Sequence, residues 1–273
     1  PASPAEQGVS HHRDIPVSNS LYTKVSESSP AQPFVAARQS ARDGRDLKQL
    51  QTVKALYTPE ERHNLTGGQL RNRAVTDVFE PGSTVKPFVV SKVIEDGYAT
   101  PDTVLDTNPF MVGPLRVNDG AHSHPSLSVA QIIQKSSNVG TVKIALQMQP
   151  HDMWELFTQV GLGQKPKVPF PGAVAGKVRA YKTWKPIEQA TMSYGYGLST
   201  SLFQLAQAYS VFANDGELLP VNLLKNTTPP TGARVLTPQS AVAIRHMLHL
   251  VTLPGGTATK AQTMGYSVGG KTG

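Results

Sequence analysis

The sequence predicts a fold of the α+β class, dominated by helices, and three observations carry that expectation. Apolar residues recur at helical spacing in several separate stretches after residue 57. Pro-Gly-rich segments punctuate those stretches, with Pro 22 and Gly 23 over 273 residues. The last nine residues, GYSVGGKTG, read as the beginning of a strand.

The elements follow in order. Residues 1–56 are rich in Ser and Pro and carry no sustained helix or strand period. They form an atypical, loop-rich entry segment, and 57–273 forms the folded domain. Residues 83–96 read as a helix with one buried stripe, because Val85, Phe88, Val89, Lys92, Val93 and Ile94 fall at helical spacing. Pro87 fits in its first turn, where a missing N–H costs little. A Pro-, Gly- and Asp-rich excursion then runs to about residue 126. Val129, Ile132, Ile133 and Ser136 share a face, so a helix ends close to Ser136. Two more helices span 138–148 and 151–160. Leu202, Leu205, Ala206, Tyr209, Phe212 and Ala213 follow the helical period, with Gly216 as a stop signal. A last helix covers 237–251, opening at Thr237-Pro238.

Composition limits the function. The chain is long enough for one large or two modest domains, although hydrophobic content is only 38%. With no cysteine there is no disulfide and no thiolate metal site. The net charge of +7 comes from scattered basic residues, which read as a solvated surface rather than a nucleic-acid footprint. No stretch approaches 18 consecutive apolar residues, so no membrane-spanning helix is expected.

The most informative run is EPGSTVKPF, residues 80–88. Ser83 and Lys86 stand three apart at a helix N-terminus, so they share a face where partial positive charge favours a developing anion. That is the layout of an activated serine nucleophile. Spacing alone also fits an ordinary first-turn serine and lysine. Two further tripeptides narrow the choice: Ser136-Ser137-Asn138 and Lys271-Thr272-Gly273 follow Ser83 in the order used by penicillin-interacting serine enzymes.

With their flanks, LRNRAVTDVFEPGSTVKPF, LSVAQIIQKSSNVGTVKIAL, SYGYGLSTSLFQLAQAYSVFANDG and LPGGTATKAQTMGYSVGGKTG, these motifs closely resemble the transpeptidase domain of class B penicillin-binding proteins. Among those the chain looks most like the septal cell-division member. The resemblance runs from about Tyr57 to Gly273. It implies a fold like that of the penicillin-binding proteins and serine β-lactamases, here mostly the helical lobe with an incomplete antiparallel sheet. It also implies a serine D,D-transpeptidase that cross-links peptidoglycan stem peptides without metal or cofactor and is acylated by β-lactams.

By the same resemblance Ser83 is the nucleophile and Lys86 its base, with Lys271 and burial expected to lower the Lys86 pKa from near 10.4. Ser136 relays a proton, Asn138 holds the substrate amide, Lys271 and Thr272 hold the terminal carboxylate, and Gly273 lets the substrate strand lie close. Family partners are the lipid-linked precursor, a septal glycosyltransferase and other division proteins. The family location is the inner membrane with a periplasmic catalytic domain, and its anchor is not present in this chain. The family sheet draws strands from before the nucleophile and from beyond the Lys-Thr-Gly. The former look corrupted, as by a shifted reading frame that regains register near Tyr57. The chain as given is therefore expected to be poorly stable and inactive.

Other readings are a D,D-carboxypeptidase, a β-lactamase-like hydrolase and a non-catalytic fragment. Ser137 stands where β-lactamases usually carry aspartate, which disfavours the hydrolase. Gly265 to Thr272 also matches a phosphate-binding loop, but that loop needs a helix after the lysine. His122, His124, His246 and His249 lack metal-ligand spacing. Trp154 and Trp184 read as packing residues, and Tyr194 and Tyr196 as buttresses.

Overall fold

The computed structural model describes residues 22–23, 34–35, 71–168, 170–222 and 230–273. The expectation of an atypical entry segment falls almost wholly outside them. Within it stands one antiparallel pair, β1 (Tyr22–Thr23) with β2 (Phe34–Val35). A two-residue pair of that kind is far shorter than the strands of an ordinary sheet.

From residue 71 the chain builds a helical body edged by short β pairs. A single turn, α1 (Arg73–Thr76), is capped by the Asn72 side chain, which accepts from the Ala74 N–H. β3 (Val78–Phe79) follows, and then a 3₁₀ turn at Gly82–Val85 runs straight into α2 (Lys86–Glu95), with Pro87 in its first turn. The excursion to residue 126 contains β4 (Val104–Asp106), the hairpin β5 (Phe110–Val112) and β6 (Leu115–Val117), and β7 (Ser126–Ser128), which pairs back onto β4.

α3 (Val129–Lys135) opens with a capping box between Ser128 and Gln131. α4 (Asn138–Ala145), α5 (Pro150–Gln159) and α6 (Pro186–Ser193) come next. β8 (Thr200–Ser201) pairs antiparallel with β3 and leads into α7 (Leu202–Ala213), where Ser201 and Gln204 form a second capping box. β9 (Glu217–Leu218) and β10 (Ala233–Arg234) pair after the turn at Gly216. α8 (Pro238–Thr252) is capped by Thr237 Oγ1, which accepts from the Ser240 N–H.

The expected single stripe on α2 is replaced by near-complete burial. Lys86, Pro87, Phe88, Val89, Val90, Ser91 and Val93 are all buried, because α2 runs through the middle of the lobe. It touches α3, α4, α5 and α8, and Phe88 stacks on Phe212 and meets Tyr209 edge-on, both from α7. A helix hydrophobic on nearly every face is a core helix. Lys92, at its solvent end, pairs with Asp96 instead. A smaller cluster of Val112, Val117, Val139, Val142 and Ala190 seats the β5–β6 hairpin against α4 and α6.

The expected terminal strand does not form a ladder. Among the described residues no strand pairs with 266–273, and a strand requires a hydrogen-bonded neighbour. The Gly270 N–H donates instead to Leu248 O on α8, at 3.0 Å.

Candidate active site

The first wall of the site is the 3₁₀ turn that carries Ser83. Gly82 has φ +56°, which frees the chain to turn sharply between Pro81 and Ser83. Lys86 N–H donates to Ser83 O and Thr84 Oγ1 donates to Pro81 O at 2.7 Å. Because i and i+3 eclipse in a 3₁₀ turn, Ser83 and Lys86 share a face. From the core side the Tyr209 hydroxyl donates to Thr84 O at 2.7 Å. Burial pushes that phenol's pKa far up, so it remains a donor at any ordinary pH.

The second wall is the junction of α3 and α4. Ser136 adopts the left-handed conformation, φ 61° and ψ 38°, at the end of α3. Ser136 N–H donates to Ile133 O and Ser137 N–H to Ile132 O, the pair of bonds that closes a helix in the Schellman manner. Glycine usually takes that position, so a serine here holds local backbone strain beside the site. Ser137 then caps α4, its Oγ accepting from the Gly140 N–H at 2.9 Å. Gly140 leaves room for Ile132, since a Cβ there would overlap that side chain.

One residue that the sequence did not single out organises this junction. Asp119 Oδ2 accepts from Ser137 Oγ at 2.6 Å, and its Oδ1 accepts from the N–H groups of Asn138 and Val139 at 2.5 and 3.0 Å. A carboxylate at a helix N-terminus satisfies orphan donors and meets the positive end of the dipole. The DG pair at 119–120 could only be read from sequence as a turn. Nothing local announces that it faces a helix eighteen residues away.

Two lysines meet between these walls. Lys86 has no exposed surface and Lys271 is 3% exposed, although free ammonium groups are almost never buried. Lys86 Nζ donates to Ser136 O and to Asn138 Oδ1, each at 2.6 Å, and lies 3.3 Å from Ser136 Oγ. Lys271 Nζ donates to Ser136 Oγ at 2.7 Å and to Thr272 O at 2.9 Å. Burial, then the Lys271 charge, hold the Lys86 pKa well below its usual 10.5, with Asp119 opposing in part. Burial brings Lys271 down to about 7. A neutral Lys86 has two N–H donors, which Ser136 O and Asn138 Oδ1 use, and one lone pair left to take a proton.

The third wall is 266–273, held by side chains of α8. His249 Nδ1–H and Thr252 Oγ1 both donate to Val268 O, at 2.7 and 2.8 Å. Thr272 Oγ1 lies 2.8 Å from Thr257 Oγ1. A Cβ added to Gly82 would come within 3.9 Å of Gly273, so the end of this wall reaches the turn that carries Ser83. Hydrogen bonds thus join Lys86, Ser136, Asn138, Lys271 and Thr272, while Ser83 stands on the adjoining 3₁₀ turn, next to Gly82, which Gly273 approaches.

The Lys271 amine points into buried polar groups rather than cradling an open loop, unlike a phosphate-binding lysine. Among the described residues, His151, Asp152 and Glu155 on α5 have ligand atoms within 4.8 Å of one another, on a largely exposed face outside the three walls. Trp184 is buried with its Nε1–H on Arg179 O, while Tyr194 packs on the smaller cluster. Tyr196 is 56% exposed beside it, ring centroids 5.6 Å apart, so only the first tyrosine of the pair is a packed buttress.

Comparison with known proteins agrees with this geometry. Residues 46–273 match the family model described as the penicillin binding protein transpeptidase domain. The chain is 44% identical over 217 residues to the probable peptidoglycan D,D-transpeptidase PenA of Neisseria flavescens, covering 80% of this chain and 54% of that protein. It is 36% identical over 217 residues to the peptidoglycan D,D-transpeptidase FtsI of Escherichia coli K12, covering 80% and 37%. The chain therefore spans about half or less of these relatives' length. Among solved structures, the apo transpeptidase domain of Burkholderia pseudomallei penicillin-binding protein 3 superposes with TM-score 0.71 at 51% identity, covering 73% of this chain and 61% of that one. A structure described as a peptidoglycan glycosyltransferase from Burkholderia ambifaria gives TM-score 0.72, also at 51% identity, covering 74% and 65%.

Proposed function

This chain belongs to the penicillin-binding protein transpeptidase family, and from that premise we propose that residues 57–273 carry the catalytic groups of a serine D,D-transpeptidase. Its substrates are peptidoglycan stem peptides, its inhibitors are β-lactams, and its setting is septal wall synthesis. That setting rests on the resemblance to the division member and on similarity to FtsI. It brings with it a periplasmic catalytic domain, the lipid-linked precursor and a septal glycosyltransferase as partner. Among the described residues no helix is long and apolar enough to cross a membrane.

The observation that carries the reading is the buried amine of Lys86, its two donors committed to Ser136 O and Asn138 Oδ1. Neutral Lys86 takes the proton as Ser83 Oγ attacks the carbonyl carbon of the penultimate D-alanine. The tetrahedral oxyanion forms at the N-terminal end of the helical segment, where the positive end of the helix dipole favours it. Its collapse breaks the amide bond. Ser136 Oγ, bonded to Lys271 and near Lys86, relays a proton to the departing D-alanine amine. An amine from a second stem then attacks the Ser83 ester and regenerates the hydroxyl. Lys271 and Thr272 hold the donor's terminal carboxylate until it leaves with the released D-alanine.

Incubating the full-length gene product with fluorescent penicillin, then mapping the adduct by peptide mass spectrometry, tests this. One penicilloyl group on Ser83, absent from Ser83→Ala, is expected. An adduct on another residue, or none, would overturn the reading.

A further inference from the structure

The segment Tyr194–Gly197 lies against the turn that carries Ser83 and is not used by the mechanism above. It nevertheless makes two connections to that turn and to Glu80 just before it. Gly82 N–H donates to Gly195 O at 3.3 Å. Gly197 N–H donates to Glu80 Oε1 at 2.9 Å. β3 pairs with β8 just behind, Val78 opposite Ser201 and Phe79 opposite Thr200. Gly195, at φ +93°, lies so close to Gly82 that a Cβ on it would overlap the Gly82 carbonyl and Cα. Only glycine permits this approach of two backbones.

We infer that Tyr194–Gly197 is a backing strap for the nucleophile turn, and that Glu80 and Gly195 are positioning residues for Ser83. Glu80 acts through its hydrogen bond rather than its charge, because its partner is a neutral N–H. Gly195 acts by having no side chain. Between them they fix the height of Gly82, and hence of Ser83, against a helix already pinned from the core by Tyr209. A displacement of the nucleophile by a fraction of an ångström lowers the chemical step, while the groups that hold the substrate carboxylate, Lys271 and Thr272, stay where they are.

This inference rests on the proposed role of Ser83, so the experiment has two arms. In the full-length gene product, Glu80→Ala is expected to lower the first-order rate constant of β-lactam acylation about tenfold with the pre-acylation binding constant unchanged, and Gly195→Ala about a hundredfold. Glu80→Gln, which still presents an acceptor, restores the rate to within about twofold. In the same full-length protein, amide hydrogen exchange at Gly82 and Gly197 is expected to quicken together in Glu80→Ala and not in Glu80→Gln. The exchange arm reads the strap even if Ser83 proves not to be the acylated residue. Exchange that quickens at Gly197 alone would overturn the inference, as would Glu80→Gln acylating as slowly as Glu80→Ala.

Discussion

The walls that carry Ser83 and Ser136 and the wall that carries Lys271 are built by different means. The first two are made of regular structure: a 3₁₀ turn running into α2, and a Schellman closure of α3 followed by a capped α4. Most of their backbone bonds close within a few residues, with Asp119, Tyr209 and Gly195 adding bonds from farther along the chain. The third has no ladder and no helix, and its carbonyls and N–H groups are met by α8 through His249, Thr252 and Leu248. Local closure fixes geometry once the helix forms, whereas side-chain tethers hold only while their own element is in place. The nucleophile side should therefore be stiff and the Lys271 side adjustable.

The sharpest way to break this contrast is to remove chemistry without moving either region. Ser83→Ala should abolish acylation, by about 10⁶-fold on the pattern of other serine nucleophiles, with the melting temperature unchanged. Stopped-flow labelling and thermal melts read the two quantities. A comparable residual rate in Ser83→Ala would mean that the turn is scaffold only.

Next in size is Asp119, which has its three bonds on one short junction. Asp119→Ala should cost about 2 kcal/mol in denaturant unfolding and roughly tenfold in acylation, because Ser137, Asn138 and Val139 lose their anchor beside Ser136. If stability falls but acylation does not, the second wall does not depend on its cap.

A smaller effect is expected on the tethered side. His249→Ala should cost about 1 kcal/mol, the usual net value of one hydrogen bond, and should quicken amide exchange at Gly270 while leaving Ser137 and Val139 protected. Equal loss of protection on both sides would erase the distinction between stiff and adjustable walls.

Sequence legibility followed the same divide. The α7 period, the Thr237-Pro238 start of α8 and a helix ending near Ser136 were all readable, because each rests on spacing within a dozen residues. The motif residues were readable as a set through their order and flanks. Asp119, Glu80 and His249 were not, since each acts on a backbone group at least eighteen residues away. The total burial of α2 was hidden for a related reason. Periodicity reports a stripe, and only the neighbours on all sides reveal that Pro87, Val90 and Ser91 are enclosed as well. The short pairs β4–β7 and β5–β6 fell in a stretch where Pro and Gly mask strand alternation. The expected terminal strand failed because pairing depends on a partner, which no local pattern encodes.

A further predicted effect is on stability against pH. A lysine whose folded pKa is lowered binds fewer protons folded than unfolded, between about 7 for Lys271 and its unfolded value of 10.5. Folding stability should therefore rise with pH across that window and level off above it. Lys271→Met should flatten the rise, as followed by urea unfolding at a series of pH values. A slope of the opposite sign would mean that both lysines stay charged when buried.

The most direct measurement is the titration of Lys86 itself, by nuclear magnetic resonance of lysine labelled with ¹³C at Cε and assigned with Lys86→Arg. Burial and the Lys271 charge require a midpoint well below 10.5. A Lys86 midpoint at or above 10.5 would contradict the account, because an amine that keeps its proton cannot accept one from Ser83.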